Sequence, residues 1–207
     1  MDTQTQLTPK RLPVWTLAIS ASALLAFFVP GLATLLIYDH AAIAHGELWR
    51  LASGNLVHLS NTHFAYDLTA FLIAGTIIEV RGYRHFAMVC LSAAILIGVA
   101  IFVFAPELHY FGGLSGVVTA AVAYLCLHGV SEKGTWRWLC AAMMAGLVAK
   151  FWIEIALGNS LLLTVSNEAF APVPLSHLMG AVTALFVYVL KRLSISTRFT
   201  ETAAKSV

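Results

Sequence analysis

Charge is what this sequence has least of: 11% of its 207 residues are Asp, Glu, Lys or Arg, against roughly a quarter in an ordinary soluble domain. With 59% hydrophobic residues and a mean hydropathy of +0.83, a water-soluble globule is excluded. The formal net charge is only +2, and like charges never run beyond neighbouring pairs. Disordered chains and nucleic-acid modules both need a charge density that is missing here. Cysteine is scarce too. Cys90, Cys126 and Cys140 lie in apolar stretches without a C-x-x-C pair, so neither a disulfide framework nor a thiolate metal site is expected. An H-E-x-x-H motif is absent, as is any internal repeat relating two halves of the chain. The signatures of zinc peptidases and of two-fold transporters are therefore missing.

Long apolar runs are abundant. A membrane span takes about 20 mostly apolar residues, because 1.5 Å of rise per residue must cross roughly 30 Å of hydrocarbon. Six stretches meet or approach that requirement: Val14 to Tyr38, His63 to Val80, His85 to Ala105, Ser115 to Ser131, Trp138 to Leu157 and Leu175 to Leu190. The first is too long for a signal-peptide core and lacks a cleavage site, so it reads as a retained helix bent near Pro30 and Gly31. The fold class expected is an all-α membrane bundle of six helices spanning 14–192, with short tails at 1–13 and 193–207.

Cations set the orientation. Lys10 and Arg11 precede the first span, Arg81 and Arg84 separate the second and third, Lys133 and Arg137 the fourth and fifth, and Lys191, Arg192, Arg198 and Lys205 follow the sixth. The alternate loops carry Arg50 alone. By the positive-inside rule both termini and the tails are cytoplasmic. The opposite side, the periplasm if the membrane is a bacterial inner membrane, then holds a long connector from Asp39 to Thr62, a short loop from Pro106 to Gly113 and a loop from Gly158 to Pro174. The connector mixes Leu48, Trp49, Leu51 and Leu56 with His45, Glu47, Arg50 and His58, which reads as short helices in the membrane interface.

Ionisable groups inside spans are costly and mark functional candidates. Here they are His63 and Asp67 in the second span, Lys150 and Glu154 in the fifth, and His177 in the sixth, with Ser115 opening the fourth after Gly112-Gly113-Leu114. Lys150 and Glu154, four residues apart, share a helix face and are expected to neutralise each other. Helix rise compares the depths of the others. Ser115 stands about 17 residues, roughly 26 Å, from Glu132; His177 about 14 residues, roughly 21 Å, from Lys191; and His63 about 18 residues, roughly 27 Å, from Arg81, with Asp67 about 6 Å deeper. A hydroxyl, an imidazole and a His/Asp pair thus reach one level, toward the side opposite the cytoplasm.

That level suits acyl transfer. Gly113 and its neighbours permit a tight turn, and the start of the fourth span leaves N–H groups pointing outward as donors for a developing oxyanion. A serine nucleophile needs a base, and His177 is the best placed. Around it, Ser176, Gly180, Ala181 and Ala184 are small residues that let the fourth and sixth spans approach closely. No acidic residue is evident beside His177, so the reading is a Ser-His dyad. His63 and Asp67 complete the set of candidate oxyanion donors.

The chain at this point resembles the rhomboid intramembrane serine proteases. Three blocks carry the resemblance: Glu47-Leu48-Trp49-Arg50 followed by His58, His63 and Asp67; Gly113-Leu114-Ser115-Gly116; and His177-x-x-Gly180-Ala181. The resemblance implies Ser115 as nucleophile and His177 as general base and acid. His63, Asp67, Gly113, Leu114 and the nearby backbone amides would then bind substrate and oxyanion. It implies membrane-protein substrates within the lipid bilayer, no cofactor, no metal and no nucleic acid. The approach from Tyr38 to Arg50 resembles the rhombosortase branch, associated with C-terminal Gly-Gly sorting tails. Two positions depart from the family. Asp67 stands where Asn is usual, and is read as carrying its proton so that it donates as the amide would. Thr119 stands where an aromatic commonly packs beneath the histidine, so the imidazole is expected to be held less firmly. The alternatives are an inactive rhomboid-like protein that binds or escorts membrane clients, a metal site on His58, His63, Asp67 and His177, and an ion-coupled transporter using Lys150, Glu154 and Asp67. Entry of substrate is expected to involve the fifth span and the loop from Gly158 to Pro174.

Overall fold

A computed structural model describes residues 12–157 and 174–204, with side chains for 12–156 and 174–193. The tail 1–11, the expected lid loop at 158–173 and the last three residues lie outside the described residues.

The chain is almost wholly helical. It runs α1 (Val14–Phe28), α2 (Leu32–Leu36), β1 (Tyr38–Asp39), α3 (His40–Ala44), α4 (Arg50–Ser53), a 3-10 turn (Gly54–Leu56), α5 (Asn61–Val80), α6 (Phe86–Phe104), β2 (Tyr110–Phe111), α7 (Ser115–Gly129), α8 (Thr135–Leu157) and α9 (Pro174–Ala204). Within α5, α6, α8 and α9 the stretches Asn61–Val80, Phe86–Phe104, Thr135–Ala156 and Pro174–Leu193 are long and apolar enough to cross a membrane, while α1 and α7 are apolar but shorter. The expected first span is broken rather than bent. Pro30 disfavours the helical conformation in the residue before it, Val29 turns extended (φ −85°, ψ 117°), and Gly31 adopts φ 80° before α2 starts. The sixth also runs further than expected, as helix continues to Ala204.

The centre of the bundle is α7, which packs against α5, α6, α8 and α9. Its small residues let neighbours touch backbone. A Cβ at Gly180 of α9 would collide with the Gly116 carbonyl of α7 and lie 3.2 Å from Ala120 N. A Cβ at Gly116 would lie 2.9 Å from the carbonyl oxygen of Ser176. The expected close approach of the serine-bearing and histidine-bearing spans is realised. At the opposite end of the bundle, the start of α1 is capped by α5: the Glu79 carboxylate accepts from Trp15 N (3.1 Å), Thr16 N (2.8 Å) and Thr16 Oγ1 (2.6 Å), satisfying amides that a helix start leaves unpaired.

The Trp-Arg block of the connector is a clamp. The Arg50 guanidinium donates to Glu47 Oε2 (2.6 Å) and to the carbonyls of Thr34 (2.9 Å) and Ile37 (2.8 Å). Trp49 Nε1 donates to Leu35 O (3.1 Å) and Ser53 Oγ to Leu36 O (2.7 Å). Together they occupy the carbonyls that the short α2 leaves open at its end. A two-residue antiparallel ladder then pairs Tyr38 with Phe111 and Asp39 with Tyr110. This ladder ties the connector to the strand that leads directly into Gly112 and Ser115.

Candidate active site

Ser115 opens α7, and the turn before it is shaped by Gly113 at φ 142°, a conformation that L side chains rarely adopt. Space imposes the same choice. A Cβ at Gly113 would lie 2.9 Å from His63 Cε1 and 3.9 Å from Asp67 Oδ2, and one at Gly112 would lie 2.8 Å from the carbonyl oxygen of Val57. The glycines therefore seat the serine turn directly on the α5 side chains. Asp67, four residues after His63 and so on the same helix face, brings Oδ2 to 3.1 Å from His63 Nε2 and 3.0 Å from His58 Nε2. His58, from the extended end of the connector, is buried, and its Nε2 also lies 3.2 Å from the Leu114 amide. Of the backbone donors expected near Leu114 and Ser115, the Leu114 N–H is thus already aimed at His58. His58 was anticipated in the connector block, but its position against Leu114 was not.

A second cluster joins α8 to α9. His177 Nδ1 is 2.9 Å from Glu154 Oε2, and Lys150 Nζ is 2.6 Å from Glu154 Oε1 and 3.3 Å from His177 Nδ1. Glu154 is 1% exposed and His177 5%. The expectation that no acidic residue accompanies His177 is corrected: α8 supplies one. Lys150 and Glu154 do pair, yet the carboxylate has a second oxygen and spends it on the imidazole. Depth alone is compatible with this contact, but it does not say which way an α8 side chain faces. Glu154 lies three residues from the end of α8 and His177 three residues from the start of α9, so the two share a level across the intervening loop.

Ser115 stands between these clusters. Gly113, two residues before it, rests on His63, and Gly116, just after it, rests on the backbone of Ser176. Among the described residues, the Ser115 hydroxyl and His177 Nε2 are hydrogen-bonded neither to each other nor to another group. Thr119, one turn along α7, donates to the Ser115 carbonyl (2.9 Å). It also lines an open cavity of about 260 Å³ between α7, α8 and α9, whose wall includes Lys150, Glu154 and His177. Thr119 leaves space at this position, but the expectation of a less firmly held imidazole is corrected, because Glu154 and Lys150 of α8 contact its Nδ1. His58 and His63 pair with Asp67, whereas His177 pairs with Glu154, and among the described residues no group of three or more His, Cys, Asp or Glu is arranged to hold a metal ion. Of the transporter trio, Lys150 and Glu154 pair with each other, while Asp67 pairs with the two histidines.

A sequence model described as "Rhomboid domain" matches residues 45–193. Among curated proteins, the chain is 41% identical over 81 residues to "Rhomboid protease GlpG" of Haemophilus influenzae, covering 38% of this chain and 41% of that protein. It is 28% identical over 142 residues to "Rhomboid protease GlpG" of Pectobacterium atrosepticum, covering 68% of this chain and 48% of that protein. It is 30% identical over 96 residues to "Rhomboid protease GluP" of Bacillus subtilis, covering 46% of this chain and 18% of that protein. The chain spans about half or less of the length of these relatives.

Proposed function

This chain belongs to the rhomboid family, and from that premise we propose that it is an intramembrane serine endopeptidase with Ser115 as nucleophile and His177 as general base. The observation that carries this is the glycine contact between α7 and α9. Gly116 and Gly180 bring backbone against backbone, which puts the turn bearing the hydroxyl against the turn bearing the imidazole. Ser115 Oγ attacks the scissile carbonyl carbon as His177 Nε2 takes its proton; the same proton then goes to the leaving amine, and water repeats the sequence on the acyl-enzyme. In this reading the oxyanion is received by the Ser115 N–H, His63 and a protonated Asp67, of which the His63 and Asp67 side chains lie against the Gly113 turn. His58 stands behind them, its Nε2 either accepting from the Leu114 N–H or, when protonated, donating to Asp67 Oδ2.

The finer architecture follows the family. Six helices span the bilayer, the tails 1–13 and 193–207 lie on the cytoplasmic side, and α3 and α4 lie in the outer interface. The length of α7 supports a buried site: its 15 residues rise about 22 Å, short of the roughly 30 Å of hydrocarbon. A helix that ends at the cytoplasmic face therefore starts below the outer surface, and its first residue is Ser115. Substrates are membrane proteins whose spans unwind locally, since a helix hides its carbonyls in hydrogen bonds; C-terminal Gly-Gly sorting tails suit that need. Entry past α8 is supported by its packing, because 11% of its spanning window is buried, against 33–44% for the other three long helices.

Co-expression with single-span proteins, some ending in a Gly-Gly tail, tests the proposal. The expected result is cleavage that disappears in both Ser115→Ala and His177→Ala. Client proteins that bind the chain and remain intact would instead assign it to the inactive, escorting members of the family.

A further inference from the structure

Between α8 and α9, three charged or polar side chains are arranged in a fixed order of donors and acceptors. The Lys150 ammonium occupies Glu154 Oε1 at 2.6 Å, leaving Oε2 to face His177 Nδ1 at 2.9 Å. A carboxylate oxygen has only lone pairs to offer, so a ring nitrogen at that distance must carry the proton. The ammonium 3.3 Å from the same nitrogen is then no partner for it, since both are donors; its partner is the carboxylate. With the ring proton on Nδ1, the free lone pair lies on Nε2.

We propose that Glu154, held by Lys150, is a positioning residue for His177: it fixes the imidazole in the Nδ1–H tautomer and faces the positive charge that develops when Nε2 takes the serine proton. This deepens the proposed serine-protease reading and rests on it. The site is a serine–histidine pair with a third member supplied from a separate helix. Burial makes the arrangement consequential. Glu154 is 1% exposed and His177 5% exposed, and each carboxylate oxygen already has a protein partner. Thr119 explains the need, because it gives the ring no flat surface to rest on and its hydroxyl is committed to the Ser115 carbonyl. The groups facing His177 from α8 are Lys150 and Glu154; the wall from α7 contributes the uncharged Thr119.

The test uses the purified full-length protein in bicelles, with two readouts. The first is the rate at which a fluorophosphonate labels Ser115. Glu154→Gln keeps shape and volume, but with its oxygen on Lys150 its amide N–H₂ faces Nδ1 and imposes the opposite tautomer. Labelling and kcat should fall about 10²- to 10⁴-fold, with KM little changed, while Glu154→Asp keeps more activity than Glu154→Gln. The second is ¹⁵N NMR of labelled histidine, the His177 signals being identified by their loss in His177→Ala. The wild type should show protonated Nδ1 and bare Nε2, and Glu154→Gln the reverse. Wild-type labelling rates in both Glu154→Gln and Glu154→Ala, or a wild-type ring protonated at Nε2, would overturn the role of Glu154 while leaving the protease reading intact. Failure of the wild type itself to label at Ser115 would instead sink the protease reading, and the NMR tautomer would still decide what Glu154 does to the ring.

Discussion

The two helices on either side of the candidate site are built in opposite ways. Helix α7 is 15 residues long and is enclosed by four other helices. Helix α8 is 23 residues long and leaves most of its surface facing outward. The difference is already visible in single glycines. Gly116 in α7 has the Ser176 carbonyl where a side chain would go, whereas Gly146 in α8 has nothing within 4 Å of the corresponding position. Chemistry is distributed accordingly: α7 carries the serine, which must not move, and α8 carries Glu154 and Lys150, which address the site from outside. The least buried of the four long apolar helices thus holds the carboxylate that contacts His177.

Substitutions that fill or vacate space are the sharpest way to challenge this contrast. The largest effect is expected at the contact between α7 and α9. Gly180→Leu puts a side chain into the Gly116 carbonyl and should cost about 3 kcal/mol, read as a large fall in melting temperature in detergent with loss of activity. Next comes the serine turn. Gly113→Ala strains a backbone at φ 142° and presses on His63, so cleavage should drop roughly 100-fold, about 2.7 kcal/mol, with a smaller change in melting temperature. Asp67→Asn keeps an acceptor for the histidines and a donor for the oxyanion; less than about a 10-fold change in kcat is expected, and abolished cleavage in a folded protein would rule out a protonated Asp67. The smallest effect belongs to α8. Gly146→Ala meets open space and replaces a poor helix former, so it should stabilise by no more than about 1 kcal/mol. A comparable loss at Gly146 and Gly180 would erase the contrast between the helices.

Much of this was legible beforehand, and the parts that were not share a cause. The ends of α5, α6, α7 and α8 follow the apolar runs because span length is a constraint imposed by the bilayer, and Gly180 was readable as a close-packing position because only small residues admit a neighbouring backbone. The break after Phe28 was read as a bend. Pro30 marked the place, but whether a helix kinks or stops depends on what caps the next one, here Arg50 and Trp49 from a later segment. The pairing of Tyr38–Asp39 with Tyr110–Phe111 left no trace, since two-residue strands have no alternation to detect. Glu154 was noticed and given half its role. Its i,i+4 partner is written in the chain, but its contact with His177 depends on how α8 is rotated about its axis. A helix apolar on nearly all faces carries little periodicity from which to read that rotation.

The central claim is that Ser115 and His177 work as a pair, and covalent mapping tests it most directly. After treatment with a fluorophosphonate, mass spectrometry of the wild-type protein should place the adduct on Ser115, with labelling lost in His177→Ala although that variant remains folded. An adduct on another serine, or Ser115 labelled equally well without His177, would contradict the account.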